Sequence, residues 1–163
     1  MTECRADHDR LATLLDHGEG RLETPVLDDT AIAALLRSGP RIAVIGASGS
    51  PFRPSNGVLH DLRRFGYDVV PVNPVETEID GLACYPSLAD AVAATGPVDI
   101  VDVFRRAEAC PEHAREAVAA GARCLWLQLG IVSPEAAGIA AAGGLGVVMD
   151  RCTVIEHARL IGR

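Results

Sequence analysis

Lysine is missing from this 163-residue chain; all fifteen cationic side chains are arginine. That excludes lysine Schiff-base chemistry and the lysine of a P-loop. Basic charge as a whole is in deficit, with a formal net charge of −7. A chain this acidic does not present the basic face that a phosphate backbone demands, which argues against nucleic acid as the main partner. No apolar run approaches the roughly 20 residues of a membrane helix. The opening stretch MTECRADHDRLATLLDHGEG has no apolar centre of the kind a secretory signal needs. The expected location is therefore the cytoplasm. The cysteines are Cys4, Cys84, Cys110, Cys124 and Cys152, an odd number with no C-x-x-C pair. Free thiols are expected, neither a disulfide framework nor a metal site.

What is present is a globular composition, 48% apolar and 23% charged, of a length that suits one well-filled domain. Residues 1–40 read as an N-terminal extension, polar at first, with one short helix near its end. Asp28 or Asp29 caps that helix, Ile32, Leu35 and Leu36 form its apolar face, and Gly39 and Pro40 stop it. From Arg41 to the last residue, 163, apolar runs and helical patterns alternate. RIAVIG, YDVVPVNP, VDIVDVF, ARCLWLQLG and LGVVMD are expected strands buried on both faces. Between them lie helices with Val58, Leu59, Leu62 and Phe65 as one stripe, Ser87 and Asp90 as a capping pair, Pro111 at a first turn, and Ser133-Pro134 at another. The tail TVIEHARLIGR reads as a last short helix. This alternation predicts an α/β fold: a Rossmann-like, doubly wound, mostly parallel sheet with helices on both faces.

Open sheets of this kind bind ligands outside the carboxyl ends of their strands, where the strand order reverses. Small, hydrogen-bonding and cationic residues stand at those ends: Gly46-Ala47-Ser48-Gly49, Asn73-Pro74, Phe104-Arg105-Arg106, Gln128 and Gly130, and Asp150-Arg151-Cys152. In the first loop, Gly46 and Gly49 let the backbone approach an anion and Ser48 and Ser55 offer hydroxyls. The following helix aims its free N–H groups at the same spot. Arg53 adds a bidentate cation.

The identity of a nucleotide is less direct. The full G-x-G-x-x-G pattern is absent, and Val72-Asn73-Pro74 occupies the place where a carboxylate would hold the ribose hydroxyls of NAD. That counts against NAD and less strongly against NADP.

The segments VIGASGSPFRPSNGVLHDLRRFGYDVVPVNP, YPSLADA, VDIVDVFRRAEACPEHAREAVAAGA, WLQLGIVSPEAA and GVVMDRCTVIEH together resemble the small stand-alone CoA-binding domain proteins. These are related to the CoA-binding domain of succinyl-CoA synthetase and of ADP-forming acyl-CoA synthetases. The resemblance covers about Arg41 to His157. It implies coenzyme A as the ligand, with Gly46, Ala47, Ser48, Arg53, Pro54 and Ser55 along its phosphates. Asn73 and Pro74 would flank the adenosine, Phe104 and Arg105 would line the pantetheine path, and Gln128, Leu129 and Gly130 would complete the edge. Arg151 joins this set from its place at the last strand end. Family members often carry an aromatic after the helix-start serine; this chain has Asn56 and Gly57 there.

No catalytic set is recognisable, so a binding module rather than an enzyme is expected. His157 in the tail reads as a surface or capping histidine. Asp102 reads as a structural carboxylate, paired to Arg105 or Arg151. Asp150 is placed to orient Arg151. Cys152, beside Arg151, is a candidate reactive thiol able to form a mixed disulfide with CoA. The competing functions are an NADP-dependent oxidoreductase, for which no hydride-transfer set is visible, and a CoA-binding subunit of an acyl-CoA ligase whose partner is a separate chain.

Overall fold

The computed structural model describes residues 2–162, and side chains over 5–162, so Cys4 falls outside the described side chains. Five strands form one parallel sheet: β1 (Arg41–Ile45), β2 (Asp68–Val72), β5 (Ile100–Val103), β6 (Cys124–Leu127) and β7 (Gly146–Val148). Their spatial order is β2-β1-β5-β6-β7, and every pairing is parallel. After β2 the chain returns past β1 to lay down β5 on its other side. The order therefore reverses between β1 and β5, and the loops leaving those two strands diverge. A two-stranded hairpin, β3 (Glu78–Ile79) and β4 (Leu82–Ala83), extends from the β2 side.

Each sheet face has its own core. Alternation along a strand sends successive side chains to opposite faces. Ala43, Ile45, Val101, Val103, Leu125 and Leu127 face one layer, which is covered by α4 (Leu88–Thr95), α5 (Cys110–Ala119) and α6 (Pro134–Ala142). Ile42, Val44, Ile100, Cys124, Trp126 and Val148 face the other, which is covered by α2 (Asp29–Arg37), α3 (Pro54–Arg64) and α7 (Thr153–Leu160). Trp126 is wholly buried and donates its indole N–H to the Arg151 carbonyl at 2.7 Å.

The expected caps are in place. Asp28 accepts from Ala31 N at 2.8 Å and Ser133 from Ala136 N at 3.2 Å. Ser87 accepts from Asp90 N at 3.1 Å and donates to the Asp90 carboxylate at 2.6 Å.

The extension departs from expectation. Its polar start is a 17-residue helix, α1 (Thr2–Gly18), so residues 1–40 carry two helices rather than one. Leu14 packs on the core, and the His17 ring lies 3.3 Å from the Met149 carbonyl oxygen. Ile32, Leu35 and Leu36 of α2 are buried against the sheet. Burying a side chain of that size is worth about 1.5–3 kcal/mol, so α2 is integral to the folded unit. No described helix is long and apolar enough to cross a membrane.

Candidate functional site

A cleft of about 730 Å3 opens at the carboxyl ends of the parallel strands. Gly46, Ser48, Arg53, Pro54, Ser55, Asn73, Phe104, Arg105, Gln128 and Leu129 line it, drawn from the loops after β1, β2, β5 and β6. Four loops far apart in sequence thus meet on one sheet edge, as the strand-end reasoning anticipates.

The β1–α3 loop is shaped for close approach. Gly46 has φ +79, a region that side-chain-bearing residues rarely adopt. A methyl group there would lie 3.0 Å from Arg105 Cδ and 3.1 Å from the Phe104 carbonyl oxygen. Gly46 is therefore the point where the two diverging loops pass each other.

Pro54 opens α3 at a position where its missing N–H costs nothing. Among the described residues, the backbone N–H groups of Ser48 and Ser55 meet no protein acceptor. Donors of this kind at a helix start attract anions. Asn73 braces the loop from β2: its amide donates to the Ala47 carbonyl at 2.8 Å and accepts from Val75 N at 2.7 Å and Glu76 N at 3.1 Å.

The charge of the cleft is opposite to that of the chain. Arg10, Arg53, Arg105 and Arg106 line it, against the single carboxylate of Glu76. Elsewhere arginines are spent on ion pairs, as in Arg41–Asp68, Arg64–Asp61, Arg115–Glu112, Arg123–Asp99 and Arg159–Asp29. None of the four cleft arginines has an ion-pair partner among the described residues. Glu76 accepts from Gly49 N at 2.9 Å, so a carboxylate already rests on one donor of the loop.

Four residues read from the sequence as site residues lie off the cleft lining. Ala47 is fully buried, and its side chain belongs to the core. Pro74 lines a smaller neighbouring cavity of about 130 Å3 with Arg105 and His113. Gly130 has φ +77 and holds a turn, its N–H donating to the Asp150 carboxylate at 2.7 Å. Asp150 thus fixes Gly130 and does not orient Arg151. Arg151 turns toward α2 and α7, pairing with Asp29 at 2.9 Å and Glu156 at 3.1 Å. Those carboxylates, together with Arg159, form one ion-pair network around the buried Glu156, and the two arginines hold the Asp29 carboxyl well below the usual carboxylate range.

The cleft also contains Arg10, Val58, Glu76 and Ile131, which the sequence reading did not assign to it, and Arg106, which it placed at a strand end without giving it a ligand contact. Arg106 was legible as a cation following β5. Arg10 had no signal at all, because nothing local ties α1 to the sheet edge.

Neither Arg105 nor Arg151 pairs with Asp102, contrary to expectation. It is wholly buried and accepts from Gln128 Nε2 at 2.9 Å and from Thr153 Oγ1 at 3.1 Å. Loss of solvent pushes its carboxyl up to about 7, against the lowering effect of those two donors. His157 is buried rather than on the surface. It stacks on Phe65 with ring centroids 4.0 Å apart, and its Nδ1 lies 2.7 Å from the Tyr67 hydroxyl. Desolvation lowers its pKa. It does not line the cleft.

Cys152 does line the cleft and is half-buried, whereas Cys84, Cys110 and Cys124 are buried. Burial pushes the Cys110 thiol up to about 12 and raises those of Cys84 and Cys124. No grouping of His, Cys, Asp and Glu suited to a metal ion occurs among the described residues.

Residues 40–158 match the family described as CoA binding domain. The uncharacterized protein YneT of Bacillus subtilis is 39% identical over 127 residues, covering 78% of this chain and 92% of that protein. A hypothetical protein of Pyrococcus horikoshii has a similar structure, with a TM-score of 0.79 and 38% identity over 83% of this chain and 94% of its own. The dinucleotide-forming acetyl-coenzyme A synthetase 1 of Candidatus Korarchaeum cryptofilum aligns with a TM-score of 0.58 and 25% identity. That alignment covers 68% of this chain but 26% of the synthetase, so the likeness is to one part of a larger protein. By the family match across most of its length, the chain belongs to the CoA binding domain family.

Proposed function

We propose that the protein binds coenzyme A, or an acyl thioester of it, in the cleft at the carboxyl edge of the sheet. It acts there as a cytoplasmic binding module that holds the cofactor and performs no chemistry on it alone. The observation that carries this reading is the meeting of Arg53, Arg105 and Arg106, none of them ion-paired, with the open N–H groups of Ser48 and Ser55. Such a set suits a ligand with several phosphate charges. The cleft volume of about 730 Å3 is within the usual range for cofactor sites.

Asn73, standing where an acid would bind ribose hydroxyls, spends its amide on the loop, which disfavours NAD. The two titratable groups considered for catalysis, Asp102 and His157, are engaged in internal hydrogen bonds, which favours a binding role.

The test is a melting titration with CoA, NADP and ATP. A ligand that binds only the folded chain stabilises it by about 2.7 kcal/mol at a hundredfold excess over its dissociation constant. A rise in melting temperature with CoA is expected. A rise with NADP alone would replace this reading by an oxidoreductase one.

A further inference from the structure

The residue that sequence reasoning missed most completely, Arg10, has a place that the phosphate cradle does not explain. It belongs to α1, in the extension that precedes the family-matched residues 40–158. Its Nη2 lies 3.4 Å from the carbonyl oxygen of Gly130, in the loop after β6. The phosphate loop follows β1, and β6 is two strands away in the sheet. At about 4.8 Å per strand that separation is roughly 10 Å. Arg10 thus contacts the loop after β6 and not the loop that carries Ser48 and Arg53.

The cleft wall around Arg10 has a distinct chemistry. Leu129 and Ile131 supply apolar surface there, and Cys152 stands at the last strand end. The Arg10 guanidinium reaches this wall and has no carboxylate partner among the described residues. Its contact with the protein is one long hydrogen bond to a neutral carbonyl, which leaves most of its five donors unspent. An acyl chain packed along Leu129 and Ile131 would strip water from that charge. A purely hydrocarbon chain would give nothing in return, whereas a chain ending in a carboxylate would offer a bidentate partner.

We infer that Arg10 is a specificity-determining residue: it selects CoA thioesters whose acyl group carries a terminal carboxylate. This rests on the CoA reading above and adds the class of acyl group to it. The extension then serves as one wall of the site, bringing to the cleft a cation that the strand-end loops do not place there.

The experiment compares two hydrolysis-resistant CoA thioethers, S-(3-carboxypropyl)-CoA and S-butyl-CoA, by their dissociation constants for the full chain. The ratio of the two constants is read within each variant, so any general loss of affinity cancels. The wild type is expected to prefer the carboxylated analogue by about tenfold, the order of one charge-assisted pair. Arg10→Gln is expected to bring the ratio close to one, and Arg10→Lys to restore part of the preference. A wild-type ratio near one, or an unchanged ratio in Arg10→Gln, overturns the assignment of Arg10 while leaving CoA binding intact. Failure of both analogues and of CoA itself to bind overturns the CoA reading and this inference with it.

Discussion

Both carboxylate oxygens of Asp102 lie 2.9 Å from Nε2 of Gln128, and Thr153 closes the group with its hydroxyl 3.1 Å from one of them. A strand, the loop after the next strand, and the first residue of α7 are joined by these contacts. Gln128 has one side toward the cleft lining and its amide nitrogen committed to the interior. The same buried carboxylate sets a pH dependence. Its pKa rises from an ordinary value near 4 to about 7 in the folded chain. Between those values the folded state holds the proton more tightly than the unfolded state, so this group makes stability fall as pH rises through that window. The lowered His157 pKa acts in the opposite direction, because its neutral form is favoured in the fold.

The contribution of Asp102 is therefore isolated by Asp102→Asn. Relative to wild type, the variant is expected to gain stability as pH rises from 4 to 8, by an amount on the order of a few kcal/mol. Urea unfolding of both proteins at a series of pH values checks this. A pH-independent difference between them would contradict it.

Gly46→Ala tests the crossing of the two diverging loops. The new methyl group would press on Arg105 Cδ and the Phe104 carbonyl, on a backbone at φ +79. A loss of about 1–2 kcal/mol in stability is expected from the conformation alone, since glycine's freedom is used there. Displacement of the two loops is expected to weaken ligand binding as well. Thermal unfolding with and without CoA reads both effects. A variant as stable as wild type with the same ligand-induced shift would contradict this view of Gly46.

Alkylation distinguishes Cys152 from its buried counterparts. Iodoacetamide is expected to modify Cys152 well ahead of Cys84, Cys110 and Cys124, whose thiols are buried and raised in pKa. A saturating thiol-blocked CoA (S-butyl-CoA), which does not consume the reagent, is expected to slow modification of Cys152 alone, because that thiol lines the cleft. Peptide mass mapping follows each site separately. Equal rates with and without S-butyl-CoA would remove Cys152 from the ligand's surroundings. Protein isolated without reductant further shows, by the presence or absence of a CoA-sized adduct, whether the mixed disulfide forms.

Much of this architecture was legible because strong local signals agreed with the global fold. RIAVI and CLWL are apolar throughout and were readable as strands buried on both faces. Ser87 and Ser133 announce their helices by chemistry that acts within one turn. The two-residue strands of the β3–β4 hairpin are too short for an alternating pattern to declare itself. Helix α1 was hidden for a related reason: few of its side chains reach the core, with Leu11 and Leu15 both exposed.

The strand-end rule found the cleft because position along a strand fixes which edge a residue reaches. It did not fix where a long side chain points. Arg151 stands at the right edge, yet two nearby carboxylates, Asp29 and Glu156, draw it elsewhere. Arg10 is the converse, a residue from outside the sheet that tertiary packing delivers to the cleft.

Calorimetric titration of CoA into the wild type and into Arg53→Ala is the most direct measurement. Arg53 is exposed and makes no side-chain cap to α3, so its loss is expected to leave the melting temperature nearly unchanged. Saturable binding of one CoA per chain is expected for the wild type, with affinity at least about tenfold weaker in Arg53→Ala, the scale of a charged hydrogen bond. Absence of saturable CoA binding in the wild type, or equal affinity in the two proteins, would contradict the assignment of this cleft as a cradle for the cofactor's phosphates.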